Sequence, residues 1–237
     1  MKALLARPFR MGSEATDHSG HRARLRKRLL DGGAEALLDH ELVEYLLALA
    51  LPRRDTKPLA KALIGRFGSY AGVLAASPRE LASVGEISEG CIAALKIAHA
   101  SALRLLKAGV DNRPVLSNWQ ALLDYLHASM AHRQTEAVRL LMLNARNVLI
   151  RDELIAEGSV DQAPVYVREV IRRALDHHAS AIILVHNHPS GDPKPSRDDI
   201  QMTRQIAEAA RLLGVALHDH IIVGRAGHAS FKTLGLL

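Results

Sequence analysis

The chain carries two different patterns of apolar and polar positions. Within residues 20–107, apolar residues recur at spacings of three and four, which is typical of amphipathic helices. Prolines such as Pro52, Pro58 and Pro78 divide this half into four or five short helices. We therefore predict a helical domain over residues 20–107, preceded by a basic, flexible leader over residues 1–19.

The second half alternates between strand and helix patterns. Glycine, aspartate, asparagine and proline in residues 108–117 predict a linker. The elements predicted beyond it are helices at 119–131, 164–177 and 196–213, strands at 137–143, 148–156, 181–185 and 217–223, and a short last element at 230–236. This alternation predicts an α/β domain over residues 118–237, with helices packed on a mixed sheet.

A polar loop follows the apolar strand 181–185. Three prolines and one glycine between Pro189 and Pro195 exclude helix or strand there, and Ser196 begins the next helix. Alternate residues of an extended chain point to one side, so His186 and His188 can face a single ion.

Asp199, one turn into that helix, can approach the same ion. Two imidazole nitrogens and one carboxylate leave a fourth tetrahedral position open, which is typical of catalytic zinc. The alternative is that the histidines end a strand while Ser196 and Asp199 form a helix-capping box, with no metal involved.

The spacing of these residues resembles a known signature. His-x-His, seven residues, Ser, two residues and Asp is the pattern of the JAMM (MPN+) metalloproteases, and His186, His188, Ser196 and Asp199 fit it without a gap. The resemblance implies a cytidine-deaminase-like MPN fold, Zn²⁺ as the cofactor, and a peptide or protein substrate cleaved at a peptide or isopeptide bond.

The rest of the chain resembles the bacterial RadC family in particular. The segment 187–191, the later segment 217–224 and the helical first half all fit that family, from about Gly20 to the end. Within the segment 217–224, a second His-x-His pair surrounds Asp219. We expect these three polar residues to be core or supporting groups rather than a second metal site.

The resemblance also implies two catalytic roles. Glu136, ahead of the strand 137–143, stands where JAMM proteins carry the general base, and Ser196 would donate a hydrogen bond to the water or the developing oxyanion. The match at Glu136 is looser than the metal signature, because Arg139 replaces a glycine found in many members. The competing candidates for the base are Glu153, Glu157 and Glu169.

Cysteine content and hydropathy indicate the compartment. The single cysteine, Cys91, forbids an internal disulfide, and no apolar run approaches the length of about eighteen residues that a membrane span requires. We therefore expect a cytoplasmic protein, with Cys91 as a helix core residue.

Charge and a hairpin motif suggest a second function. The net charge is +6, and residues 1–33 hold eight Lys and Arg against three Asp and Glu, which is +5. Such an arm can bind nucleic acid weakly and without sequence preference, although a solvated helix start explains it equally well.

The segment 77–95 resembles a helix-hairpin-helix unit, but Glu86 and Ser88 replace the two glycines that approach a DNA phosphate. Gly85, one residue earlier, leaves a shifted hairpin open. The alternative to a hydrolase is a non-enzymatic, DNA-associated factor with structural zinc. The resemblance to the RadC family, formerly described as DNA repair proteins, implies its link to repair.

Overall fold

The computed structural model describes residues 14–111, 113–158 and 165–237. Residues 1–13 of the predicted leader and the predicted helix start at residue 164 lie outside the described residues. The chain forms two compact units, which we call the helical unit (residues up to Val73, and Ser77–Leu95) and the sheet unit (Leu74–Ala76 and Lys96–Leu237). The division falls inside the helix Glu89–Val110, so the domain limits drawn from the sequence stay predictions.

Helices of 5 to 22 residues build the first part of the chain. In order, they are α1 (Glu14–Gly32), α2 (Asp39–Ala50), α3 (Lys57–Phe67), α4 (Tyr70–Ala75), α5 (Pro78–Ala82) and α6 (Glu89–Val110), with a 3-10 turn at Ala34–Ala36. Ser77 and Glu80 cap α5 reciprocally, and Gly68 ends α3 with a positive φ of 84°. Cys91 is fully buried in α6, which confirms its prediction as a core residue.

The hairpin between α5 and α6 contains no Gly-apolar-Gly backbone. The glycine with positive φ is Gly85, at 59°, and the Glu86 side chain is 93% exposed and lies 3.7 Å from Arg54. The hydroxyl of Ser88 accepts a hydrogen bond from the backbone N–H of Cys91, at 3.3 Å. An acidic side chain and a capped helix start are both unfavourable for phosphate binding.

Two basic residues of α1 are bound within the helical unit. Arg22 donates to the backbone carbonyls of Pro52 and Arg54. Arg28 pairs with both carboxylate oxygens of Glu41, at 2.7 and 2.8 Å. These contacts hold α1 to its neighbours, so part of the predicted basic arm has a structural role.

The second part of the chain is a mixed five-stranded sheet with helices on both faces. Its helices are α7 (Trp119–Met130), α8 (Val167–Asp176) and α9 (Arg197–Leu212), and a 3-10 turn spans Val115–Ser117. Its strands are β1 (Ala137–Leu143), β2 (Leu149–Glu157), β3 (Ala181–Asn187), β4 (Ala216–Gly224) and β5 (Gly227–Ser230). The strand order is β2-β1-β3-β4-β5, with β3 and β4 parallel and the other neighbours antiparallel.

Two apolar layers separate the sheet from its helices. On one face, Leu122 and Leu126 of α7 pack with Leu141, Ile183 and Val185 of the sheet. The opposite layer joins α8 and α9 to the other face of β1 and β3, through residues Val170, Ile171, Ile206, Leu140 and Leu184. Because both faces of β3 are covered, all seven of its residues are buried. The predicted α/β class with a mixed sheet is confirmed.

The last strand was not predicted. β5 pairs with the end of β4, and residues 231–235 that follow are turns, whereas the sequence predicted one short element at 230–236. Gly227 and Ser230 give β5 little apolar periodicity, so the pattern has no strand signal.

Within the described ranges, none of the helices combines the length and apolar character that crossing a bilayer requires.

Candidate metal centre

The two histidines of the loop are held by strand geometry. β3 runs two residues further than the sequence predicted, and His186 pairs with Val138 of β1 and with Ile222 of β4. The backbone N–H of His188 donates to the carbonyl of Val223 at 3.0 Å, which extends the ladder by one more residue. The extended backbone therefore carries both imidazoles on one side of the strand.

The start of α9 brings a carboxylate to them. The Ser196 hydroxyl accepts from the backbone N–H of Asp199 at 3.1 Å, and Asp199 Oδ2 accepts from the backbone N–H of Ser196 at 2.8 Å. The capping box expected in the metal-free alternative is thus present. It occupies Oδ2, which also faces His188, and leaves Oδ1 facing His186, so capping and metal binding are compatible.

Three possible ligand atoms meet at this point. His186 Nε2 lies 2.9 Å from His188 Nε2 and 3.3 Å from Asp199 Oδ1, and His188 Nε2 lies 3.6 Å from Asp199 Oδ2. All three side chains bring ligand atoms within 4.8 Å of one another, and no other such group of three occurs in the part of the chain that the structure describes. The structure thus brings together the three residues that the sequence spacing selected.

The protonation of His188 and the types of the neighbouring donor atoms suit a cation-binding site. His188 Nδ1 lies 2.8 Å from the carbonyl oxygen of Asp192, which can only accept, so Nδ1 carries the proton and Nε2 presents a lone pair. A carboxylate oxygen and a second imidazole face that lone pair. Ligands at 2.0–2.1 Å around a tetrahedral zinc ion stand roughly 3.3 Å apart, and His186 Nε2 lies 2.9 Å from His188 Nε2 and 3.3 Å from Asp199 Oδ1. The donor set fits such an ion.

Burial and neighbouring charges shift the pKa values of His186, His188 and Asp199 in different directions. Burial lowers the pKa of His186 to about 4, against the opposing effect of Asp199. Burial raises the pKa of Asp199, but His188, His186 and the hydrogen bonds from Ser196 outweigh it and hold that pKa well below its usual range. The pKa of His188 is raised by Asp199 first, then by the Asp192 carbonyl and by Glu136, while burial opposes the rise. A neutral His186 and an ionised Asp199 are the forms that bind metals.

Ser196 lies beside the carboxylate. Its hydroxyl donates to Asp199 Oδ2 at 2.6 Å, so its one hydrogen is directed to the carboxylate in this arrangement. The sequence predicted donation to water or an oxyanion instead. That role requires the hydroxyl to rotate away from Asp199 when a substrate binds.

Glu136 lies one residue before β1, close enough to His188 to raise its pKa. The Asn187 side chain fixes this segment on both sides of Glu136. Asn187 Oδ1 accepts from the backbone N–H of Ala137 at 2.9 Å, and Nδ2 donates to the carbonyl of Thr135 at 3.1 Å. A fully buried amide thus ties the strand of the histidines to the segment that carries the predicted base.

The competing glutamates are bound elsewhere. Glu153 pairs with Arg173, and Glu157 pairs with Arg133. Glu169 lies 3.0 Å from Arg172 on α8. Each of these carboxylates already has an arginine partner.

Comparison with known proteins identifies the family. A family model for the RadC-like JAB domain matches residues 116–236. A UPF0758 protein of Rhodobacter capsulatus is 56% identical over 213 residues, which are 90% of this chain and 100% of the relative. The chain belongs to the RadC family. A UPF0758 protein of Ruegeria pomeroyi is also 52% identical over 217 residues, which are 92% of this chain and 97% of that relative. The sheet unit of this RadC-family chain therefore carries a JAB domain, a fold of hydrolase-related families.

The β4–β5 turn anchors the histidine loop of this RadC-family chain. The carbonyl of Gly191 accepts from the backbone N–H of Ala226 at 3.3 Å, and Arg225 donates to the carbonyl of Ser190 at 2.8 Å. A Cβ on Gly224 would lie 2.3 Å from the Gly191 oxygen. The close approach of two backbones therefore requires glycine at this position.

The second His-x-His of the RadC chain has three separate roles. His218 bonds to Asn147 at 2.6 Å, and buried Asp219 accepts from Ser230 and from the backbone of Lys232. His220 is fully buried, with Nε2 2.8 Å from His186 Nδ1. Among the described residues, the group of three that could hold a metal is His186, His188 and Asp199, and none of these other three side chains belongs to it.

Sequence reasoning missed the contacts of Asn187 and His220. Strand alternation gave only the direction of Asn187, and the spacing of the metal signature does not include His220. Both partners are distant in the chain, so only the strand register reveals them.

Proposed function

We propose that this protein is a zinc-dependent hydrolase of the JAMM type, which cleaves peptide or isopeptide bonds in a peptide or protein substrate. The observation that carries the proposal is the convergence of His186 Nε2, His188 Nε2 and an Asp199 carboxylate oxygen within 4.8 Å. Three protein ligands of this kind leave one position of a tetrahedral zinc ion open, which is the arrangement of catalytic rather than structural sites. A zinc ion held there supplies a Lewis acid and lowers the pKa of water to about 7.

The proposed proton carrier is Glu136. A general base must accept a proton from the attacking water and return it to the leaving amine. The charge of Glu136 acts on His188, one of the three residues of the candidate metal centre. Asn187 holds the backbone on both sides of Glu136, which restricts the positions that its carboxylate can take.

The proposed role of Ser196 is hydrogen-bond donation to the oxygen that becomes negative during attack. A single oriented donor of this kind commonly contributes about 2.7–4 kcal/mol to transition-state stabilisation. Its present partner, Asp199 Oδ2, also accepts from the Ser196 backbone N–H. That carboxylate oxygen therefore keeps one hydrogen bond when the hydroxyl turns toward a substrate.

Metal analysis of the purified protein tests the proposal. Protein prepared without added metal should contain about one zinc per chain, and a His186→Ala/His188→Ala double variant should contain none. The matched control is His228→Ala, which removes an exposed histidine of the same unit and should keep the zinc. Equal zinc in the double variant and the wild type would remove the site from consideration.

The non-enzymatic, DNA-associated alternative has less support in the structure. Glu86 is exposed where a hairpin would need glycine, and Arg22 and Arg28 are bound within the helical unit. We retain only weak, salt-sensitive nucleic-acid binding by the basic residues of 1–33 as a proposal.

A further inference from the structure

His220 lies directly behind the first histidine of the metal centre. It pairs with Leu184 across β3 and β4, and its ring stacks on Phe231 with 4.5 Å between centroids. Its Nε2 is 2.8 Å from His186 Nδ1, and its Nδ1 is 2.6 Å from the hydroxyl of Thr203 on α9. Both ring nitrogens of a fully buried imidazole therefore contact uncharged groups.

The hydroxyl of Thr203 sets the direction of this chain of hydrogen bonds. Thr203 Oγ1 lies 2.5 Å from the backbone carbonyl oxygen of Asp199, one turn earlier in α9. A carbonyl can only accept, so the single hydroxyl hydrogen of Thr203 is donated to it. Thr203 must then accept at its other contact, which places a proton on His220 Nδ1.

The proton positions follow from there to the metal centre. A buried imidazole without a carboxylate partner is neutral and carries one N–H, so His220 Nε2 is an acceptor. His186 must therefore donate its Nδ1–H to His220. The lone pair of His186 Nε2 is left facing His188 and Asp199.

The reverse set of donor and acceptor roles is incompatible with the short contact between Thr203 and Asp199. If Thr203 donated to His220, its oxygen and the Asp199 carbonyl oxygen would be two acceptors 2.5 Å apart. His220 would then donate to His186 Nδ1, and the proton of His186 would sit on Nε2. A histidine in that form cannot bind a metal through Nε2.

We propose that Thr203 and His220 are positioning residues that hold His186 in the Nδ1–H form before metal binds. The inference rests on the proposed metal-dependent function for its purpose, and on the hydrogen-bond geometry and the burial of His220 for its proton positions. Thr203 and Asp199 share one turn of α9, so the helix that supplies the carboxylate also fixes the tautomer of the opposite ligand. His188 reaches the same form by another route, through the Asp192 carbonyl.

The first measurement concerns metal-free protein. Side-chain ¹⁵N shifts of the histidines distinguish the two neutral tautomers, and wild-type His186 should be protonated at Nδ1. Thr203→Val keeps the shape of the side chain but removes the hydroxyl, so a substantial population of the Nε2–H form should appear at His186. Thr203→Ser keeps the hydroxyl and should retain the wild-type spectrum.

The second measurement is zinc affinity by competition with a chromophoric chelator. Loss of a group that orients a metal ligand typically lowers affinity by about 10- to 100-fold, and Thr203→Val should fall in that range. Thr203→Ser should stay close to the wild type. Ile206→Val, a buried change one turn away on α9 that removes no polar group, controls for general loosening of the core.

Thr203→Ala serves as a second variant without the hydroxyl should the valine protein fail to fold. A wild-type His186 protonated at Nε2, or equal zinc affinity in Thr203→Ala, Thr203→Val and Thr203→Ser, would overturn the inference while the metal centre stands. Wild-type protein that shows the expected tautomers but binds no zinc would support the inference and refute the proposed function.

Discussion

The two units use histidine and carboxylate side chains differently. In the helical unit, one imidazole meets one carboxylate: His21 Nε2 lies 2.9 Å from Oε1 of Glu44, which is 2% exposed. One imidazole beside one carboxylate can form an ion pair on its own, and Glu44 Oε2 has no hydrogen-bond partner among the described residues. In the sheet unit, His186 and His188 direct nitrogens at each other and at one Asp199 carboxylate. Two imidazoles and a carboxylate facing one point form a possible metal-binding group, so the same residue types indicate structure in one unit and a candidate ligand site in the other.

Among the changes that distinguish the candidate ligand site of the sheet unit from the histidine–carboxylate pair of the helical unit, Glu136→Gln is expected to have the largest effect. Glu136→Gln is nearly isosteric but cannot accept a proton, so hydrolysis should fall by a factor of about 100 or more. Zinc content and thermal stability should stay close to wild type, because the proposed ligands are untouched. Turnover of a peptide-library substrate, measured beside the zinc content, checks both expectations.

Glu153→Gln and Glu157→Gln are the matched controls, since each removes a carboxylate of the same unit that already has an arginine partner. Both should retain activity. Full activity in Glu136→Gln with loss in one control would reassign the base within an enzyme. Bound zinc with cleavage unaffected by every carboxylate change would favour a non-catalytic protein.

The sequence predicted that His186, His188 and Asp199 come together because their geometry is local. His186 and His188 are two residues apart on a strand, and Ser196 and Asp199 are three apart at a helix start, so strand and helix periods alone place each pair. Proline and glycine in the loop then bring the two pairs together. No knowledge of the rest of the fold was required.

The supporting contacts could not be predicted, because they cross the sheet. His186 meets His220 only because β3 and β4 are parallel neighbours with a register shift near His218, and Asn187 meets Ala137 because β1 pairs with β3. A shift of one residue in either register would move these side chains to the opposite face. The sequence pattern gives strands but not their register.

A second comparison between the units concerns the effect on stability of replacing one glycine in each unit by alanine. Gly224→Ala places a Cβ 2.3 Å from the Gly191 oxygen, so the histidine loop must move, and the free energy of unfolding should fall by about 1–3 kcal/mol. Gly65→Ala, at an exposed position near the C-terminal end of α3 with open space around it, should raise it by at most about 0.5–1 kcal/mol. Urea unfolding followed by circular dichroism measures both changes.

Zinc content sharpens this test. Gly224→Ala should also weaken zinc binding, since the loop that it displaces begins at His188, whereas Gly65→Ala should leave zinc unchanged. A Gly224→Ala protein with wild-type stability and wild-type zinc would show that the close backbone approach does not hold the site.

The smallest effect is expected for nucleic acid. Arg24 and Arg26 project from α1 as exposed cations, whereas Arg28 is paired with Glu41. If the arm binds DNA through counterion release, Arg24→Gln/Arg26→Gln should lower the affinity for any duplex and reduce the slope of log affinity against log salt by about 1.8. Glu86→Gln, which removes a negative charge from the hairpin, should change little, because in our proposal the hairpin does not contact DNA. Fluorescence anisotropy with a labelled duplex at several salt concentrations measures all of these proteins. A DNA affinity that is unchanged in Arg24→Gln/Arg26→Gln but rises strongly in Glu86→Gln would place the phosphate contact at the hairpin. That result would restore the DNA-associated function as an alternative.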